Sequence, residues 1–215
     1  MKKQGRSAEE IITGENLRVI KQISYDNIIG FVFENIKRKS FPSYFYFGFN
    51  IITLFFLMTS GIIYFSGIEN SLREFMLYFF SGLIGGSFLV IPLHELFHAI
   101  AYKLAGAPSI TFGMDLRQMI FYVTADRYVT GRKKFYFVAL APFVSINLVI
   151  IFLLVQYPGT ENLVAGICFL LFHNIMCIGD FAMISFFYHH REKELCTFDI
   201  VENKQSYICE RIKTK

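Results

Sequence analysis

From Ser40 onward the chain alternates long uncharged runs with short charged ones. The first run, Ser40 to Ile68, holds no Asp, Glu, Lys or Arg. A second reaches from Phe75 to about Leu104 and stays uncharged as far as Leu93. A third runs from Phe135 to Tyr157, and a fourth from Asn162 to about Tyr188, broken only by Asp180. Each is long enough to cross a hydrocarbon core of about 30 Å as a helix. A helix satisfies its own backbone hydrogen bonds there, which an open strand does not. The pattern predicts an all-α integral membrane bundle of about four transmembrane helices.

The segments outside these runs carry different periods. Ile28, Ile29, Val32, Phe33 and Ile36 recur at helical spacing, with Lys37, Arg38 and Lys39 behind them. This suits an amphipathic helix, either on the inner leaflet or packed against the membrane domain. Pro42 then turns the chain into the first span. Between spans two and three, Ala107 to Arg132 is rich in β-branched and aromatic residues, as in ITFG and MIFYVTADRYVT. It reads as a β-hairpin turned at Gly113, Met114 and Asp115. Three units follow: a cytoplasmic arm over 1–39, a four-span domain over 40–188, and a cytoplasmic tail over 189–215.

Composition agrees with a membrane protein. Hydrophobic residues make up 54% of the 215 positions, and the mean hydropathy is +0.45; both exceed what an ordinary soluble domain carries. The net charge of +4 is small, so its placement matters more. All but Arg73 of the 21 Lys and Arg fall on one side of a four-span topology. The positive-inside rule then puts both termini in the cytoplasm. Because the basic residues follow topology, nucleic-acid binding has no support. The start, MKKQGRSAEE, has lysines but no apolar core behind them, unlike a cleavable signal peptide. Cys168, Cys177, Cys196 and Cys209 form no C-x-x-C pair and read as free thiols in a reducing compartment. Nothing in the pattern speaks to oligomeric state.

The second run ends in IPLHELFHAIAYKLAGAP, which puts ionisable groups where a bilayer makes them costly. On a helix His94 and His98 point the same way and can hold one metal ion together. Glu95 lies about 100° around the axis, beside the ion, and is the candidate catalytic base. A catalytic zinc needs a third protein ligand and an open position for water. Asp180 is the candidate. It lies 18 residues after the outer start of span four, and His94 lies 19 after the outer start of span two, so the two reach the same depth. His173, two turns before Asp180, is a candidate substrate contact or support for a ligand. Asn174 is a candidate hydrogen-bonding partner of substrate backbone. His189 and His190 read as solvated interface residues. Gly82 and Gly86 form a G-x-x-x-G that lets a neighbouring helix approach.

HELFHAIAYKLAG resembles the H-E-x-x-H-A segment of the intramembrane site-2 metalloproteases through His94, Glu95, His98, Ala99 and Gly106. With Gly179-Asp180 and the ALAPF at Ala139 to Phe143, the stretch from Leu89 to Ser185 is closer still to the Putative zincin peptidase family of small bacterial membrane proteins. The resemblance implies Zn2+ held by His94, His98 and Asp180, in a bacterial cell membrane. It also implies an asparagine upstream of the aspartate, for which Asn174 stands. Here the sequence departs: the site-2 group carries N-x-x-P and then L-D-G, whereas this chain has N-I-M-C-I-G-D. The expected function is a membrane-embedded zinc metalloprotease acting on a membrane protein or peptide substrate, with the hairpin pairing to it as an added strand. The other reading is a non-proteolytic zinc-binding membrane protein that acts in partner binding or immunity. Five histidines are too few for a di-iron desaturase, and no internal repeat suggests a transporter.

Overall fold

The computed structural model describes residues 6–67, 71–115 and 120–212. Helix α1 (Ala8–Gly14), strand β1 (Leu17–Ser24) and helix α2 (Ile28–Ile36) precede the long helix α3 (Phe41–Phe65). Helix α4 (Leu72–Phe80) runs through a π turn, Ser81–Gly85, into α5 (Gly86–Leu104). The hairpin β2 (Thr111–Asp115) and β3 (Ile120–Thr124) follows, then the short β4 (Thr130–Gly131) and α6 (Arg132–Gln156). Helices α7 (Thr160–Met176) and α8 (Ile178–His189) lead to β5 (Leu195–Ile200) and β6 (Gln205–Arg211).

Local chemistry starts these helices. Ser7 and Glu10 form a reciprocal capping box at α1. Ser40 accepts from the Ser43 N–H at α3, with Pro42 in the first turn, and Ser71 caps α4 through the Glu74 N–H. Arg132, at the start of α6, donates to the carbonyls of His190 at 2.9 Å and Arg191 at 2.8 Å, satisfying acceptors at the end of α8.

Three helical stretches among the described residues are long and apolar enough to cross a membrane: Phe41–Phe65, Leu72–Leu104 and Arg132–Gln156. A fourth exists if α7 and α8, bent by 45°, count as one. Continuous helix over 162–188 is therefore corrected to a broken one. The break falls at Cys177, whose ψ of 4° leaves the helical range. Span two begins at Leu72 rather than Phe75.

The all-α expectation is overturned. The described residues are 67% helix and 17% strand. Strands β1, β6, β5 and β4, in that order, form an antiparallel sheet of four. The arm over 1–39 is helical at Ile28–Ile36, but Leu17–Ser24 is a strand. The tail over 189–215 supplies β5 and β6. The reason is that both faces of the sheet are covered: Leu17, Tyr207 and Cys209 pack with Ile11, Phe198 and Ile200 on one, and Ile23 and Ile208 pack with Leu195 on the other. The hairpin exists as β2–β3, but Gly113, Met114 and Asp115 lie within β2 and do not turn the chain. The connection, 116–119, lies outside the described residues, as do Ile68 and, from the charge count, Lys2, Lys3, Arg117, Lys213 and Lys215.

The sheet closes the end of the bundle where α6 begins and α8 ends. Ile23, Leu195 and Ile208 pack there with Phe31, Phe135, Ile184 and Phe187. The start of α3 is tied to α8 by Ser40 and Ser43, which bond the Ser185 hydroxyl at 2.8 and 3.1 Å. The opposite ends of α3, α4 and α6 present apolar side chains outward, among them Phe55, Ile62, Leu77, Phe152 and Val155.

Candidate metal centre

α5 brings His94 and His98 to one face, as their spacing requires. The kink at Cys177 starts α8 anew, so Asp180 falls in its first turn, where the N-terminal end of the helix dipole favours a carboxylate. The two elements meet. His94 Nε2 and His98 Nε2 are 3.0 Å apart. Asp180 offers one oxygen to each, Oδ2 at 3.3 Å from His94 Nε2 and Oδ1 at 3.4 Å from His98 Nε2. Both histidines are buried, and Asp180 is partly so.

His98 is oriented by a carbonyl that the sequence itself sets free. Pro142 sits inside α6 and has no N–H, so the carbonyl four residues earlier, that of Val138, lacks its helical partner. That carbonyl lies 3.0 Å from His98 Nδ1. A carbonyl only accepts, so Nδ1 carries the hydrogen and Nε2 of the neutral ring turns its lone pair to the cluster. An imidazole lone pair and a carboxylate then converge beside the His94 ring, an arrangement that a cation suits.

The donor set fits one ion. Zinc bonds nitrogen and oxygen at about 2.0–2.2 Å, and a tetrahedral arrangement puts such ligands about 3.3–3.5 Å apart. The two carboxylate separations, 3.3 and 3.4 Å, match this, and the 3.0 Å between the imidazole nitrogens needs only a small opening.

A model of the Putative zincin peptidase family matches residues 87–195, just over half of the chain. The chain belongs to the Putative zincin peptidase family. The family implies zinc as the cofactor, and its matched region contains His94, His98, Asp180 and Pro142. No curated protein and no solved structure matches the chain.

The other predicted residues take separate places in this family member. Glu95 is partly buried on the side of α5 facing the hairpin, where a backbone hydrogen bond links it to Val123 of β3. His173 and Asn174 are fully buried. Asn174 is engaged by its neighbours on other helices. Its Oδ1 accepts from Asn147 Nδ2 at 2.8 Å, and its Nδ2 donates toward Thr53 Oγ1 at 3.5 Å, which ties α7 to α6 and α3. His173 stacks edge-on to His94, ring centres 5.7 Å apart. His190 caps the carbonyl of Phe186 at 2.9 Å.

Sequence reasoning missed Cys177, Val138 and Asn147. Cys177 stands four residues after His173, the same spacing as His94 and His98, and that was the available signal. A proline inside an otherwise helical run pointed to Val138 by the same arithmetic. Asn147 left no signal beyond being polar in an apolar helix. Gly82 and Gly86 do meet a neighbour, α7: a Cβ at Gly82 would lie 2.2 Å from the Ala165 carbonyl oxygen, and one at Gly86 2.6 Å from the Phe169 ring.

Proposed function

We propose that the protein is a membrane-embedded zinc metalloprotease of site-2 type that hydrolyses peptide bonds in membrane-associated substrates. The convergence of His94, His98 and Asp180, with Glu95 one residue along the same helix, carries this reading. Zinc, when bound, supplies Lewis-acid polarisation of water and of the scissile carbonyl. His94, His98 and Asp180 hold it, and His98 is kept in the right tautomer by Val138. Glu95 accepts the proton of the attacking water and returns it to the leaving amine. Its bond to the β3 backbone keeps the carboxylate on the hairpin side, where a substrate strand would add to the sheet edge.

The membrane setting follows from the same helices. His94 lies ten residues, about 15 Å, before the end of α5, so catalysis would occur in the half of the bilayer nearer the sheet. That end carries nearly all the described lysines and arginines, which supports a cytoplasmic sheet and cytoplasmic termini. The α3, α4 and α6 faces meet lipid.

The test is zinc content of detergent-purified protein together with cleavage of a reconstituted membrane-protein panel. Wild type should hold about one zinc, and Asp180→Ala much less. Glu95→Gln should keep its zinc and lose cleavage by roughly 10²–10⁴-fold. Zinc retained with cleavage unchanged in Glu95→Gln would remove Glu95 from the mechanism. A phenotype that survives Glu95→Gln would favour partner binding over proteolysis.

A further inference from the structure

The metal cluster uses one face of His94. The other face, Nδ1, points to groups the proposed reaction does not employ. Cys177 Sγ lies 4.0 Å from His94 Nδ1 and 3.6 Å from His173 Nε2. All three residues are buried, and their donor atoms lie within 4.8 Å of one another. Zinc bonds sulfur at about 2.3 Å and nitrogen at about 2.0 Å, so S···N separations of about 3.5–3.8 Å suit tetrahedral to trigonal sites. The 3.6 Å pair fits as it stands, and the 4.0 Å pair needs only a small closure. Cys177 keeps the helical bond of its N–H to the His173 carbonyl at 3.2 Å, so the two side chains share one face of α7.

We propose that His94, His173 and Cys177 form a second metal position, one that takes soft, thiophilic ions and competes with the His94–His98–Asp180 set. Sulfur sets the preference: thiolate with imidazole favours ions such as Cd2+ or Cu+, whereas two imidazoles and a carboxylate suit zinc. Binding exchanges the Cys177 thiol proton, now donated to the His173 carbonyl at 3.3 Å, for the ion. The proton leaves to solvent and no electron moves. Competition follows from His94. A neutral imidazole carries one N–H, so it offers a lone pair at Nε2 or at Nδ1, not both. An ion on Cys177 draws Nδ1 and withdraws Nε2 from the first set. A soft metal thus displaces zinc without touching His98 or Asp180. The competition, though not the second position itself, rests on the zinc reading above.

Cobalt titration of the metal-free, detergent-solubilised full chain separates the two positions. Ligand-field bands in the visible report any tetrahedral cobalt, and a thiolate-to-cobalt charge-transfer band in the near ultraviolet reports Cys177. The charge-transfer band should appear in wild type and persist in Asp180→Ala. It should vanish in Cys177→Ser and persist in Cys168→Ser. His173→Phe, which leaves the thiol in place, should weaken it at least tenfold in cobalt affinity, and covers the case in which Cys177→Ser does not fold. Preloading with Cd2+ should lower the zinc held by wild type but not by Cys177→Ser. Charge transfer missing at saturating cobalt in Asp180→Ala, where the first set cannot compete for His94, would overturn the second position and leave the zinc site standing. Charge transfer that survives Cys177→Ser would overturn it too. Absence of both signals would sink this position and the zinc reading together.

Discussion

Pro142 should have opposite effects on stability and on zinc. Pro142→Ala restores an N–H on α6 directly below the Val138 carbonyl. That carbonyl now accepts from His98 Nδ1 at 3.0 Å. The new helical bond competes for it, and His98 loses the contact that fixes its ring and tautomer. Loss of such a support to a metal ligand typically costs about 10–100-fold in metal affinity, or about 1.4–2.7 kcal/mol. The helix meanwhile gains, since an interior proline costs about 3 kcal/mol; part of that is returned because Pro142 is itself buried. The variant should therefore melt at a higher temperature without metal and bind zinc more weakly. Chelator competition gives the affinity, and thermal melts of metal-free protein in detergent give the stability. Wild-type zinc affinity in Pro142→Ala would refute the role of the freed carbonyl. Lower stability and weaker zinc together would mean that the proline merely packs.

Other substitutions probe the scaffold around the cluster. Gly82→Ala puts a Cβ 2.2 Å from a backbone oxygen of α7, so α7 must retreat by about 1 Å; overpacking of this kind costs about 1–3 kcal/mol, and zinc affinity should fall with it, whereas Gly85→Ala, with nothing within 4 Å, should not disturb zinc. Asn147→Leu strips the buried Asn174 carbonyl of its donor and should lower stability by about 1–3 kcal/mol while changing zinc content little. Outside the membrane-spanning helices, burial pushes the Cys196 thiol up to about 11 and the Cys209 thiol up to about 12. Folded values above the ordinary thiol value mean that their stability contribution is complete below pH 9 and is lost as pH rises through about 11–12. Urea midpoints in detergent should fall over that window in wild type and much less in the Cys196→Ala/Cys209→Ala double variant.

The parts of this protein that sequence revealed were those set by short spacings or by one dimension. Histidines four apart share a helix face wherever the helix goes, and hydrophobic runs report their own length. The meeting of Asp180 with the two histidines was reachable because depth along two helices that run the same way can be counted from their outer ends. The sheet was not reachable in the same way. Arg18 pairs with Glu210 across 192 positions, and no local period announces such a partner. LRVIKQIS alternates only loosely, because the pairing slips between Val19 and Lys21. The kink at Cys177 was hidden as well. Neither a proline nor a glycine occupies that residue, and the apolar run continues through it. Asn174 was a candidate substrate contact from its place in the fourth run and from resemblance; its partners Asn147 and Thr53 come from helices that no spacing links to it.

The pairing of β1 with β6 also orders the assembly of the chain in time. β1 emerges early and flanks only β6, which emerges after every long helix has been made. Until then its backbone donors and acceptors have no strand to meet. Joining two segments so far apart carries an entropic cost that grows with the logarithm of their separation, and contacts of this kind form slowly. The helices can settle first, whereas the sheet that buries Phe187 and Phe135 against Leu195 and Ile208 closes last. The interval between those events is when an unpaired β1 is most exposed to a holding chaperone or to a wrong partner strand.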